Sequence, residues 1–474
     1  MRIQQVVVDG LGHLSALVVD DASGVAAVVD PRRDVDVYLE AARERDARIT
    51  HVVETHLHND YVSGGRELAA LTGAEHVIGA GAALAHEHRP VRDGDAFDVG
   101  YLRFTALHTP GHTPEHTSYA VVDASRAGDT TAIFTGGSLL VGAVGRTDLL
   151  GQENAVPWAH DQYRSLRDVI LPHADYVSVF PTHGAGSLCS TGIASTPSST
   201  IGFERRHNAM VRPIVDGDDV ERFVTTLLGQ QPTFPRYFAR MRPTNQAGPA
   251  LLGGRPPEPR PLGYAEVIDA LDRAALIVDA RSAAAHAAAH PPGALSIPAG
   301  TSFGTWLGWV VDPDRPVILL LDDPADWDGL ARQAMRVGYE RSLLGHLRGG
   351  YGAWAAGGGD QEGIGRATVG ELAAAIARGG PDAPLVIDVR QVTEYEAGHV
   401  PGSLLLGAGE LQDRLADLPR DRPLATFCAS GYRSAVAASL LRRAGFENVI
   451  WVAEGMPAWR AEGLPVERGA PVVV

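Results

Sequence analysis

The sequence predicts an α/β protein of three consecutive domains, and three observations carry that prediction. Over residues 1–200, short apolar runs rich in Val, Ile and Thr alternate with Gly- and Asp-containing turns and with stretches of helical pattern. A dense run of Pro and Gly, AGPALLGGRPPEPRPLG (247–263), interrupts the chain. Beyond it one segment occurs twice without gaps, as LIVDARSAAAHAAAHPPGALSIP (276–298) and LVIDVRQVTEYEAGHVPGSLLLG (385–407).

The elements follow in order. QQVVV, ALVVD and GVAAVVD predict strands, DVYLEAARERDA a helix, and ITHVVE a further strand that ends on a histidine loop. HVIGAG, LRFTALHTPG, TSYAVVD, TAIFTGG and YVSVFPTHG continue the series, which predicts a layered α/β sheet domain over 1–248. Residues 201–245 read as a polar helical appendage to it. In the repeat, Asp279 pairs with Asp388, Arg281 with Arg390, His290 with His399 and Gly293 with Gly402, all at one constant interval. Two copies of one domain are therefore expected, over 262–355 and 365–468, joined by AAGGGDQEGIGRAT (355–368).

A chain of 474 residues exceeds what one core organises, in keeping with several domains. The formal charge of −16 excludes nucleic acid as an expected partner, because phosphate backbones select basic surfaces. The two cysteines, Cys189 and Cys428, form no CxxC pair, so a reduced compartment is expected and a disulfide framework is not. The first twenty residues lack the charged and continuous apolar regions of a leader. No run approaches the ~18 apolar residues of a membrane span. The expectation is a cytoplasmic protein without membrane contact.

Cys428 opens CASGYR (428–433), between the strand LATF and the helix SAVAASLLRRAGF. A sulfur at a strand-to-helix turn faces backbone N–H groups and the positive end of the helix, which favour a charged nucleophile. Gly431 permits the tight loop, Ser430 and Gly431 line it, and Arg433 offers a cation to an anionic sulfur donor. The first copy reads LLLDDPADWDG there, with Leu321 in the place of Cys428 and Asp326 in that of Arg433. It is expected to be an inactive spacer or interaction module. His286 and His290 read as surface or packing residues.

THLHNDYVSGG (55–65) supplies His56, His58 and Asp60; TPGHTPEH supplies His112 and His116, and FPTHGAG supplies His183. Neutral imidazoles on several loops at one sheet edge are how a catalytic metal centre is assembled. His116 reads as a satisfied loop histidine. Cys189 follows His183 on the same rim, either as a packed thiol or as a group that relays sulfur near the metal.

The repeat resembles the rhodanese family, whose D-x-R, GHxPG and G-x-x-x-W segments stand here as IDVR (387–390), GHVPG (398–402) and GMPAW (455–459). C-x-x-G-x-R is that family's active loop, which implies that Cys428 accepts sulfane sulfur as a persulfide while Asp388, Arg390 and Trp459 are structural. Residues 1–245 resemble the metallo-β-lactamase superfamily, whose T-H-x-H-x-D-H signature matches except at Tyr61. Within it they are most similar to persulfide dioxygenases fused to rhodanese domains, through TPGHT, FTGGSLLVGAVGRTDL, PTHGAGSLC and TIGFERRHN.

The resemblance implies an αββα sandwich followed by two tandem rhodanese-like α/β domains. It implies iron(II) held by His56, His112 and the aspartate of F-T-G-D, and Arg146 meeting the substrate anion. Here that aspartate is Gly137, so Asp60, Ser138 or water completes the site, or zinc sits among His56, His58, Asp60, His112 and His183, or metal is lost. Tyr61 occupies a position that serves a second metal, which argues against two-metal hydrolases such as glyoxalase II. The implied function is oxidation of glutathione persulfide, or another low-molecular-weight persulfide, to sulfite by O₂. Cys428 would exchange sulfur with thiosulfate, persulfide or sulfite, in a homo-oligomer. The alternatives are a zinc-dependent thioester-type hydrolase and a non-oxygenating sulfur carrier or scaffold.

Overall fold

Alternation along the first strands sends one set of side chains inward and the other outward, and both faces are apolar. In the computed structural model, which describes residues 1–470 apart from 127, 191, 218, 230 and 232, β1 (Arg2–Val8), β2 (His13–Asp20), β3 (Val25–Val29), β4 (Arg48–Glu54), β5 (Glu75–Gly79) and β6 (Arg89–Val91) form one sheet in that spatial order. On β2 to β4, Ala16, Val18, Val29 and Val53 face a second sheet, while Leu17, Val19, Val28 and Val52 face helices α1 (Asp36–Arg43) and α2 (Gly65–Thr72). Continuous Val-rich runs are what strands covered on both faces require.

The second sheet contains β7 (Ala96–Val99), β8 (Leu102–His108), β9 (Thr117–Asp123), β10 (Thr130–Gly136) and, past the short β11 (Leu139–Leu140) and β12 (Ala143–Val144), β13 (Ser178–Pro181) and β14 (Ser199–Thr200). Its order is β14-β13-β10-β9-β8-β7. Phe97, Phe104, Tyr119 and Phe134 fill the space between the sheets. On the outer face Ile133 and Val179 pack under α3 (Gln152–Arg164), α4 (Ile201–His207), α5 (Arg212–Gly217) and α6 (Val220–Leu228) through Tyr163, Ile201, Ile214 and Phe223. The layers run helix, sheet, sheet, helix, and α7 (Phe238–Ala247) completes this part of the chain.

The ends of three strands meet at one edge. The Thr182 N–H donates to the Gly136 carbonyl at 3.0 Å, Leu14 N–H to Thr182 O at 2.7 Å, and Thr117 N–H to Thr55 O at 2.8 Å. These bonds bring together the loop after β4, the loop between β8 and β9 and the loop after β13, where the histidine motifs lie, beside the end of β10.

The chain divides into two compact units, one of Met1–Pro256 with Met335–Gly338 and the other holding the rest. In the second unit the repeat becomes two five-stranded parallel sheets. The first is β15 (Pro261–Leu262), β16 (Leu276–Asp279), β17 (Leu295–Ser296), β18 (Val317–Leu320) and β19 (Leu343–Leu347), in the order β15-β19-β18-β16-β17. The second is β20 (Gly365–Ala367), β21 (Leu385–Asp388), β22 (Leu404–Leu405), β23 (Leu424–Cys428) and β24 (Val449–Gly455), in the matching order β20-β24-β23-β21-β22. Register settles the alignment of the copies. Asp279 pairs with Leu320 and Asp388 with Phe427, so Leu321 holds the place that Cys428 holds. Among the described residues no helix is long and apolar enough to cross a membrane.

Candidate metal centre and cysteine loop

Asp30, at the end of β3, fixes the first histidine loop. It has a left-handed φ of 50°, a conformation Asp tolerates better than most residues. Its carboxylate accepts the Thr55 N–H at 2.8 Å and the Thr55 hydroxyl at 2.9 Å, and the Thr182 hydroxyl also donates to it. Because Thr55 donates to Asp30, its oxygen accepts from His56 Nδ1–H, 2.8 Å away. His56 therefore presents Nε2 as a bare lone pair, and that atom is buried without a hydrogen-bond partner. The His112 Nδ1–H donates to the Arg146 carbonyl at 2.8 Å, which leaves Nε2 as the nitrogen with the lone pair. Neither ring nitrogen of buried His183 has a hydrogen-bond partner.

Ligand atoms of His56, His112 and His183 lie within 4.8 Å of one another. Three fully buried imidazoles with uncommitted nitrogens fit a divalent transition ion, and outer partners such as Thr55 and the Arg146 carbonyl set their tautomers. A second group, Asp60, His183 and Cys189, meets the same 4.8 Å criterion and shares His183 with the first. Asp60 Oδ2 lies 3.3 Å from His183 Nδ1. His58 stands outside both groups, with Nε2 3.3 Å from Asp30 Oδ1. His116 is committed on both sides: Nδ1 lies 2.8 Å from Thr109 Oγ, and Nε2 accepts the Gly137 N–H at 3.0 Å. Ser138 Oγ accepts from Gln162 at 3.2 Å and joins neither group.

Tyr61 is buried between His13 and His58, with ring centroids 4.0 and 4.4 Å away, and its hydroxyl reaches the Asp30 carbonyl. His13, at the start of β2, has Nε2 2.9 Å from the Asp30 carbonyl oxygen. His13 and Asp30 are site residues that no sequence motif marks. The available signal for Asp30 is a lone acid that closes an apolar strand. Asp30→Asn keeps the volume but puts an N–H₂ where hydroxyl and amide donors point. Metal affinity should fall about 10- to 100-fold, measured by competition with a chelator.

Arg146 is paired within the fold. Its guanidinium is buried and forked onto Asp148 at 2.6 and 2.8 Å, with a further bond to the Leu188 carbonyl at 2.9 Å. Its backbone N–H donates to Cys189 O at 2.9 Å. The residue positions His112 and the Cys189 loop, and Asp148 matches its charge.

Gly137 is closed to any side chain. A Cβ there would lie 2.1 Å from His112 Cδ2 and 2.7 Å from His112 Nε2. The imidazole occupies the space a ligating aspartate would need. Gly137→Asp should destabilise the protein by about 1–3 kcal/mol through overpacking and lower its metal content, read by thermal melts and elemental analysis.

Burial holds His13, His56 and His112 neutral. Desolvation pushes His13 and His112 down to about 3, the neighbouring His183 adding to it at His112, and it also lowers His56, beside His58 and His112. Burial would raise Asp60, but His183 and His58 outweigh it and hold the carboxyl at about 2. Burial would lower His183, yet Cys189 and Asp60 lift it well above the usual range. For His13 and His112 the unfolded chain binds protons that the fold refuses between pH 6.5 and about 3. Stability of the metal-free protein should therefore drop as the pH is lowered through that window, by up to about 1.4 kcal/mol per unit for each group. Urea midpoints at pH 7 and pH 5 measure it.

In the second unit β23 delivers Cys428 to the foot of α8 (Tyr432–Arg443). The thiol is buried, and Gly431 N–H points at Sγ over 3.1 Å. Gly431 has φ 89°, and a Cβ there would come within 2.3 Å of the Ala453 carbonyl, so only glycine fits this turn. Ser434 Oγ lies 3.5 Å from Sγ, and Ser430 is exposed on the loop. Arg433 forks onto Glu394 at 2.6 and 2.7 Å. Asp388 and Arg390 form a buried pair behind the loop, and Trp459 packs on Phe427. In the first copy His286 and His290 are buried and stacked 3.8 Å apart.

Known proteins match along the same division. A profile of the metallo-beta-lactamase superfamily matches residues 8–183, and a profile of the rhodanese-like domain matches residues 264–357 and 368–462. A Burkholderia pseudomallei (strain 1710b) protein described as "Probable metallo-hydrolase" is 31% identical over 286 residues, 53% of this chain and 92% of that protein. Among solved structures, a metallo-beta-lactamase from Staphylococcus aureus subsp. aureus COL is 28% identical with a TM-score of 0.66. That likeness covers 73% of this chain and 99% of the other. ETHE1 from Myxococcus xanthus is 31% identical, covering 52% of this chain and 99% of that one, with a TM-score of 0.44.

Proposed function

Because the chain belongs to the metallo-beta-lactamase superfamily and continues into two rhodanese-like domains, we propose that it is a sulfur-metabolism enzyme with two chemistries. Cys428 carries sulfane sulfur, and the imidazole pocket oxidises a low-molecular-weight persulfide, such as glutathione persulfide, to sulfite with O₂. The observation that carries this reading is the Cys428 loop. A buried sulfur receives an N–H at the first turn of a helix, an arrangement that stabilises a thiolate and the terminal sulfur of a persulfide. The first copy has Leu321 in that place and contributes no nucleophile.

His56, His112 and His183 would hold the ion, which we assign as iron(II). When bound it supplies the redox chemistry that couples O₂ to sulfur. The balance is RSSH + O₂ + H₂O → RSH + H₂SO₃, in which the sulfane sulfur is oxidised and O₂ is reduced. The protein's part is to hold His56 and His112 neutral and to wall the pocket: His13, Tyr61 and His58 stack into a buried wall beside it. Sulfite released there can take sulfane sulfur from a Cys428 persulfide to give thiosulfate. Tethering the two domains raises the effective concentration of each one's product at the other.

One observation favours a second reading. The first ligand group is all imidazole and contains no carboxylate, a set that suits zinc and thioester hydrolysis. Elemental analysis with an oxygen electrode separates the two. O₂ uptake on glutathione persulfide by iron-loaded protein supports oxygenation. Background uptake together with zinc and thioester turnover supports the hydrolase.

A further inference from the structure

We propose that Cys189 is a metal ligand, and that Asp60, His183 and Cys189 supply the anionic donors that position 137 no longer provides. The inference rests on the reading that an ion binds at His56, His112 and His183.

Cys189 Sγ, an Asp60 oxygen and a His183 nitrogen lie within 4.8 Å of one another, and all three residues are buried. A thiol kept only for packing would be expected among apolar side chains. This one instead faces a carboxylate and an imidazole. Neither carboxylate oxygen of Asp60 has a hydrogen-bond partner among the described residues, and His183 Nδ1 lies 3.3 Å from Oδ2. A buried carboxylate in this state is costly unless a cation compensates it. His183 belongs to both groups, so one ion beside it is within reach of imidazole, carboxylate and sulfur donors.

The loop that carries Cys189 is built to hold the sulfur in place. Its N–H donates to Ser187 Oγ at 3.1 Å, and its carbonyl accepts from Arg146 at 2.9 Å. The Arg146 carbonyl in turn holds His112, so one residue sets both the His112 ring and the Cys189 backbone. Gly137 explains why an anion must come from elsewhere, since His112 lies where a side chain at 137 would begin. On binding, the Sγ–H proton passes to solvent and the thiolate takes its place on the ion, as metal sites with cysteine require. Sulfur, imidazole and carboxylate together suit zinc, cobalt or iron.

The test uses the full chain with Cys428→Ser, so that Cys189 is its one thiol, stripped of metal and titrated with Co²⁺. A near-ultraviolet sulfur-to-cobalt charge-transfer band is expected on binding. Adding Cys189→Ser, or separately Cys189→Ala, should abolish the band and weaken Co²⁺ by about 10- to 100-fold, with binding through the imidazoles retained. Co²⁺ uptake without the band overturns the inference and leaves the metal reading standing. A sulfane sulfur found on Cys189 in the metal-loaded protein assigns it to sulfur relay and likewise overturns ligation. Failure of the unsubstituted protein to bind Co²⁺, Zn²⁺ or Fe²⁺ overturns both.

Discussion

Cys428→Ser should reduce sulfur transfer from thiosulfate to cyanide by at least about 10³-fold, the order expected when a covalent nucleophile is removed. Serine fits the space, because Sγ sits in a pocket closed by the Gly431 N–H and Ser434 Oγ. The fold should therefore survive, and far-ultraviolet circular dichroism should not change. The hydroxyl cannot carry a sulfane sulfur, and the helix N-terminus cannot make it a thiolate. Formation of thiocyanate measures the loss. Cys189→Ser is the control, since that thiol lies in the other unit and should leave cyanide turnover intact. Transfer that persisted in Cys428→Ser would move the reaction away from this loop. Arg433 is a weaker lever than its place in the motif suggests: it is forked onto Glu394, so its removal also frees a carboxylate near the sulfur.

The repeat was legible in the sequence because it rests on local rules. D-x-R is a strand end with its own buried ion pair, and G-x-x-x-W a turn followed by an aromatic that packs under the sheet. Each needs only its own few residues, so each survives as a string. The substitution at Leu321 was legible for the same reason, and the strand registers reproduce it. The metal centre was half legible. His56, His112 and His183 announce themselves in loops after strands, yet which nitrogen each one presents depends on Thr55, on a carbonyl of Arg146 and on Asp60, which lie far apart in sequence.

Arg146 shows the limit most clearly. A Gly-Arg-Thr-Asp string reads as a cation offered to an anion, and only the fold shows Asp148 taking that charge and the backbone doing the positioning. Gly137 is the converse case. The string reveals a missing carboxylate, whereas the geometry shows the space filled by His112, so restoring the carboxylate would displace a ligand.

His183→Ala tests the centre at the one residue its two donor groups share. Even the loss of an outer partner costs a metal site about 10- to 100-fold in affinity, so removing a ligand common to both groups should cost at least about 10²-fold. After dialysis against chelator the variant should hold no stoichiometric metal. His116→Gln should retain it, because both nitrogens of His116 are already committed to Thr109 and Gly137. A second readout avoids dependence on activity. An ion that binds only the folded state raises stability by about 2.7 kcal/mol at a hundredfold excess over its Kd, so metal should raise the melting temperature of the unsubstituted protein and not that of His183→Ala. The apo variant should also be less stable than apo parent, since Asp60 loses the cation 3.3 Å away and remains buried. Equal metal uptake by His183→Ala and parent would mean that the ion is held by some other set of donors.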